Sequence, residues 1–289
     1  MERETKVKVV GLMLLVNAGL GVLWLEWAWY RTRRYRKPIA ELNAQFPELC
    51  RYDAPGWRKW KLYPGAMTFL IPRFLFIIGT MTTTALLLKI WLIGHKGTRP
   101  MSRIRKFLCT ATVHACAKLM GIFGWWTDFS YNYLTPEEVN HYEEYLGPLE
   151  EQKRYQTDEA PRHPNVPKRG RGPSSTLICN HVGFTECLNQ VCTPLHPSFT
   201  PNAGIKNVPV ASVIAESIQS LYMDRAGSVE AKNQLVQRIV DRQEDIEVGC
   251  KNYPPLSIFA EGTTTNGTRI IPFKRGAFQG MRTVTPSFC

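Results

Sequence analysis

No two of the eight cysteines are spaced as C-x-x-C; they stand scattered at positions 50, 109, 116, 179, 187, 192, 250 and 289. A chain of 289 residues, 44% hydrophobic, can bury a sizeable core without disulfides. The thiols therefore read as reduced, mostly buried small side chains of a cytosol-facing protein. Cys179, His181, Cys187 and Cys192 lie close in sequence, but their spacings fit none of the usual zinc-ligand patterns, and no metal is expected. Acidic residues are also scarce in the first third. Residues 1–106 hold 19 Lys and Arg against 6 Asp and Glu, whereas the rest hold 17 against 18. A nucleic-acid binder carries its positive charge on the folded domain, with aromatics interleaved for stacking. Here the cations flank apolar runs, which argues against nucleic acid and for a membrane surface.

The longest charge-free run in this basic third is VVGLMLLVNAGLGVLWL, Val9 to Leu25, with a single Asn. Extended through EWAWY to about residue 29, it has the length of a spanning helix. Trp24, Trp27, Trp29 and Tyr30 suit the interfacial aromatic belt, and RTRRYRK follows at once. The heavier positive charge on the far flank, with no small-residue cleavage site, reads against a cleavable signal peptide. The positive-inside rule puts Arg31–Lys37 in the cytoplasm. A second apolar stretch, 66–94, contains Pro72, Arg73 and Gly79 and ends in another basic run. A re-entrant hairpin broken near Pro72 or Gly79, or an interfacial helix, keeps both basic runs on one side. Residues 1–106 are thus expected to be a membrane-anchoring region.

Residues 107–155 read as a helical lead-in. Phe107–Trp126 looks like a mostly buried helix carrying His114 and Lys118, and a capping box (Thr135, Pro136, Glu138) opens an acidic helix. Residues 156–174 hold four prolines and two glycines and form a linker loop. From 175 to 289, strand candidates at 175–179, 220–223, 256–259, 270–273 and 283–288 alternate with longer periodic runs. In the run 229–248, Leu235, Val236, Ile239, Val240 and Ile246 share a helical face. The pattern predicts an α/β domain, a mixed sheet flanked by helices, with functional groups where strands end.

Polar clusters do follow the strand candidates. His181 follows the first, Arg225 the second (LYMDR), and Glu261-Gly262-Thr263 the third (FAEGTTTNG). A neutral imidazole can take the proton of an attacking alcohol, and a carboxylate on its other nitrogen fixes the tautomer and stabilises the imidazolium. Glu186 is the candidate acid. Five residues apart on a continuous helix they would face about 140° away from each other, so the pairing requires a turn, for which Gly183 is available.

NHVGFTE, LYMDR, FAEGTTTNG with IIPFKRGAF, and TVTPSF resemble, in this order, the four blocks of the glycerolipid acyltransferase family. EGTTTN followed by K-x-GAF looks most like its lysophosphatidylcholine and lysophosphatidylethanolamine acyltransferase branch. The resemblance implies direct transfer of an acyl chain from acyl-CoA to the free hydroxyl of a lysophospholipid, with no resident cofactor. His181 would be the base and Glu186 its partner. Arg225 would hold the acceptor's phosphate, Glu261, Gly262, Thr263 and Lys274 would line its pocket, and Asn180 would position the turn. The expected setting is the endoplasmic reticulum membrane, with the catalytic domain facing the cytoplasm.

Three departures stand out. Glu186 occupies a position where the family usually has Asp. Ala260 replaces the proline of the common FPEGT. The chain stops at Cys289, directly after the fourth block, which leaves open a catalytic domain truncated at its C-terminus. Glycerol-3-phosphate or lysophosphatidic acid acylation, transacylation between phospholipids, and a catalytically silent lipid binder are the competing readings. Asn266-Gly267 is a natural turn, and its sequon has no meaning on a cytoplasmic face.

Overall fold

The computed structural model describes residues 2–36, 40–95, 97, 99–125, 174–183, 185–224 and 227–287. The acidic helix expected from Thr135, nearly all of the 156–174 loop, and Arg225 lie outside this set.

The N-terminal third is helical. Helix α1 (Glu2–Arg31) contains no proline, and its closing Arg31 meets the negative end of the helix dipole. Beyond it Arg33 and Arg36 stack on Tyr30 and Trp29, at 4.0 and 3.8 Å from the ring centroids. Most of its apolar side chains are exposed, Leu15 at 73%, a surface that suits lipid better than water. Among the described residues, three helical stretches are long and apolar enough to cross a membrane: Glu4–Arg31, Lys59–Trp91 and Arg103–Gly124.

The second of these, where a re-entrant hairpin or an interfacial helix is expected, has no break at Pro72 or Gly79. Helix α2 (Ile71–Trp91) continues from a π-helical turn, Ala66–Leu70, and runs unbroken through Gly79. Pro72 stands where the π-helical turn gives way to α-helix, a local widening that accommodates its missing amide hydrogen. The widened turn ahead of it is docked on α1. Asn17, the lone amide of α1, donates to the Met67 carbonyl at 2.6 Å, and Gly21 lies so close to Ala66 that any side chain there would strike its carbonyl oxygen.

Helix α3 (Arg103–Leu119) starts at Ser102, whose hydroxyl accepts from the Arg105 amide. Its buried face, with Leu88 of α2 and Met101, forms one core with Val191, Cys192 and Ile218. Residues on both sides of position 106 therefore pack together, and the helical third is continuous with the α/β domain.

In that domain the described strands are β1 (Thr176–Cys179), β2 (Ser198–Phe199), β3 (Leu256–Phe259) and β4 (Val284–Ser287), in the order β2-β3-β1-β4. An α/β sheet flanked by helices is what the sequence predicts. The expectation of a mixed sheet narrows, since every pairing among the described strands is parallel. The central β1 is buried throughout, as a parallel strand covered on both faces must be. Of the other strand candidates, 220–223 runs beside β2, its Leu221 and Met223 amides donating to the Phe199 and Pro201 carbonyls at 3.0 and 2.8 Å, with a single parallel bridge at Met223–Asn202. Residues 270–273 run as a loop with the Ile271 amide bound to a side chain rather than to a strand. The short helices α4 (Thr185–Val191) and α5 (Pro209–Ser217) and the long α6 (Val229–Glu247) complete the domain. Helix α6 lays Ile239 against Ile178, Leu256 and Ile258 of the sheet. The register sets Cys179 beside Phe259 and Ser287. Asn180-His181 and Ala260-Glu261 thus leave the same edge of the sheet side by side.

Candidate active site

His181 lies just beyond the end of β1, and Glu186 lies in the first turn of α4, with Val182 and Gly183 outside any helix. The imidazole Nδ1 is 2.8 Å from Glu186 Oε2. Glu186 is 5% exposed, and its other oxygen accepts from the backbone N–H groups of Val182 and Gly183, the latter at 2.8 Å. One carboxylate thus closes the turn and holds the ring. The turn does not draw on glycine's freedom: Gly183 is absent from the positive-φ residues, and a Cβ there would meet nothing within 4 Å. With Nδ1 engaged, Nε2 is the nitrogen left for a substrate, on a side chain 20% exposed.

The loop after β3 grips the backbone of His181 from both sides. Glu261, 1% exposed, accepts from the His181 amide at 2.8 Å through one oxygen and from the Ile271 amide at 3.2 Å through the other. Thr265 donates its amide to the His181 carbonyl at 2.7 Å. Glu261 therefore does not line an open pocket, as the resemblance implied. Its carboxylate is committed to main chain, because a buried carboxylate needs donors. Gly262 turns the loop at φ +73, a conformation that favours glycine, with its amide bonded to the Phe259 carbonyl. Gly262, Thr263 and Lys274 are exposed, and the stem of Lys274 runs past Gly262, where a Cβ would meet its Cγ at 3.4 Å. Asn180 stands between β1 and His181 and receives the weak thiol hydrogen bond of Cys179 at 3.6 Å.

Two contributors escaped the sequence reading. Phe259 stacks on the His181 ring at 4.2 Å with 22° between the planes, fixing the ring from below. Thr265 holds a carbonyl through its own main chain. Both lie inside FAEGTTTNG, where the sequence points to Glu261-Gly262-Thr263; Phe259 ends β3, paired in register with β1, and Thr265 follows six residues on. Among the described residues no group of three His, Cys, Asp or Glu is close enough to hold a metal ion.

The arrangement is a partly exposed imidazole, oriented on one side by a buried carboxylate and stacked on an aromatic floor. Chemically it can accept a proton at Nε2 while Glu186 stabilises the cation that results.

Comparison with known proteins agrees with that chemistry. Residues 165–288 match the family model described as Acyltransferase. The lysophospholipid acyltransferase LPEAT1 of Arabidopsis thaliana is 30% identical over 111 residues, 38% of this chain and 27% of LPEAT1. The lysophospholipid acyltransferase LPEAT2 of the same plant is 29% identical over 102 residues, 35% of this chain and 18% of LPEAT2. A lysophosphatidylcholine acyltransferase of Drosophila melanogaster is 34% identical over 102 residues, 35% of this chain and 18% of that protein. The matches thus span 18–27% of the relatives' own lengths. No solved structure gives a match.

Proposed function

We propose that this chain transfers an acyl group from acyl-CoA to the free hydroxyl of a lysophospholipid, within a membrane and with its site on the cytoplasmic face of the endoplasmic reticulum. The observation that carries the reading is the 2.8 Å contact between His181 Nδ1 and a Glu186 carboxylate fixed by two main-chain amides. His181 Nε2 takes the hydroxyl proton as the acceptor oxygen attacks the thioester carbonyl. The tetrahedral adduct collapses, the carbon–sulfur bond breaks, and the departing thiolate of CoA takes that proton from the imidazolium. No acyl-enzyme forms. Glu186 holds the tautomer and offsets the transient positive charge.

Glu261 acts by positioning, since its carboxylate ties His181 to the loop before Ile271. The exposed Gly262, Thr263 and Lys274 serve the acceptor's headgroup, together with Arg225, whose planar fork suits phosphate oxygens. Asn180 sets the start of the turn. The lysophospholipid acceptor rests on the names of the three relatives and on the apolar helices that precede the domain.

The test is release of free CoA thiol from oleoyl-CoA by membranes containing the full chain. Lysophosphatidylcholine, lysophosphatidylethanolamine, lysophosphatidic acid and glycerol-3-phosphate are each supplied in turn. Release that depends on either of the first two supports the proposal. Release with only the last two would replace the acceptor, and release with none would make the chain a silent lipid binder.

A further inference from the structure

Asn266 ends the catalytic loop and makes long-range contacts beyond those of a simple turn. Its backbone N–H donates to the Glu48 carbonyl at 2.8 Å. Its side-chain amide donates to the Pro47 and Cys50 carbonyls at 2.8 and 2.9 Å, across more than two hundred residues of sequence. Its Oδ1 in turn accepts from the amide and hydroxyl of Thr268. The neighbouring Thr265 holds the His181 carbonyl. Main chain near residue 48 is thereby linked to the catalytic base through two adjacent loop residues.

The segment so fastened has a marked character. Between residues 46 and 62 it exposes Tyr52, Trp57, Trp60 at 68%, and Leu62, with Arg58 and Lys61 also on the surface. Arg51 is paired with Asp53, and the Arg51 guanidinium holds the Asp53 carboxyl down to about 2, so this pair stays ionised in any neutral buffer. At its far end Lys59 bonds to Glu26 of α1 at 2.8 Å, and the Tyr63 hydroxyl donates to the same carboxylate. The segment is therefore stapled both to a helix long enough to span a membrane and to the catalytic loop. Exposed indoles interleaved with cations, running from behind one candidate span into the first turn of the next, are the chemistry of an anionic lipid interface.

We propose that residues 46–62 lie on an anionic bilayer surface and that Asn266 is a positioning residue, transmitting that seating to the loop that holds His181. A lipid acceptor would then meet the base at the headgroup layer, a consequence that rests on the acyl-transfer reading above.

Amide hydrogen exchange of the reconstituted full chain tests this without relying on turnover. In vesicles of phosphatidylcholine with phosphatidylserine, compared with phosphatidylcholine alone, exchange in the wild type is expected to slow about tenfold in both 52–62 and 260–268. Arg58→Glu with Lys61→Glu, both exposed, should remove that slowing in both. Asn266→Asp sets a carboxylate oxygen against two carbonyls; it should leave the effect in 52–62 and abolish it in 260–268. Exchange in 52–62 that ignores phosphatidylserine would overturn the surface assignment. A 260–268 loop that still responds in Asn266→Asp would overturn the positioning role. Acyl transfer measured in the same vesicles separates the two readings: an inactive wild type with the coupling intact removes the enzyme and leaves the clamp.

Discussion

Glu186 is one methylene longer than the aspartate usual at its position in the first block, and the structure accounts for the extra length. One oxygen reaches Nδ1 of His181 while the other lies back on the Val182 and Gly183 amides. Glu186→Asp shortens that reach by about one carbon–carbon bond, so both sets of contacts cannot be kept together. A drop of about tenfold in kcat is expected, about 1.4 kcal/mol of transition-state stabilisation. Glu186→Gln keeps the acceptor for the amides but loses the negative charge facing the ring, and should cost about 10²–10⁴-fold. Gly183→Ala meets open space at an ordinary φ and should leave kcat and KM within about twofold of wild type, since nothing in the site has to move. Steady-state kinetics on the three variants would check the series. A wild-type rate in Glu186→Gln would mean the pair is structural only. The pair itself was legible in the sequence because both groups lie in one short block. Phe259, Thr265 and Asn266 were not, because each acts through the sheet register or through main-chain bonds to distant residues.

Among the elements, the strands that read correctly are β1 and β3, short apolar runs buried in the middle of the sheet, and β4, a partly buried strand at its edge among the described strands. The segment 220–223 follows β2 through the Leu221 and Met223 amides but closes only one bridge, and in 270–273 the Ile271 amide is taken by the Glu261 carboxylate instead of a ladder. Strand β2 is two residues long and has no periodicity to detect. The turn between α4 and β2 carries a further consequence. His196 sits there at φ 41, its Nδ1–H donating to the Val191 carbonyl at 3.0 Å and its ring edge-on to His114 of α3 at 5.4 Å. Burial holds His196 below its ordinary value of 6.5, aided by the neighbouring His114 and Lys106 and opposed by the bond to Val191. Because the folded state binds the proton less readily than the unfolded chain, stability is full above about 6.5 and falls as pH drops from there towards the folded pKa. His95, also depressed by burial, adds to the same slope. The melting temperature of the solubilised protein should therefore fall on acidification from pH 7.5 to 5.5. The fall should be shallower in His196→Asn, since asparagine tolerates positive φ and does not titrate. An unchanged slope in that variant would assign the acid sensitivity elsewhere.

For the whole molecule, the basic, apolar first third and the neutral remainder look separable by composition, and the sequence boundary at 106 follows that contrast. Packing crosses it. Leu88 and Met101 are buried with Val113, Val191 and Cys192, where α2 and α3 cover α4 and the end of α5. Composition cannot reveal this, because an apolar residue facing lipid and one facing a protein core are the same residue. A fragment starting at residue 107 would lose Leu88 and Met101 from that core, at about 2–5 kcal/mol for each large side chain deleted. It should give no cooperative thermal transition, and a fragment that melts like the full chain would show two independent domains. The central claim, that an oriented His181 moves the acceptor's proton, is tested most directly in the intact membrane-bound chain. The measurement is acceptor-dependent CoA release from acyl-CoA by wild type and His181→Ala, matched for membrane content and for amide exchange in β1. The account predicts loss of release to the acceptor-free background in His181→Ala with the fold unchanged. Wild-type release in that variant would contradict it.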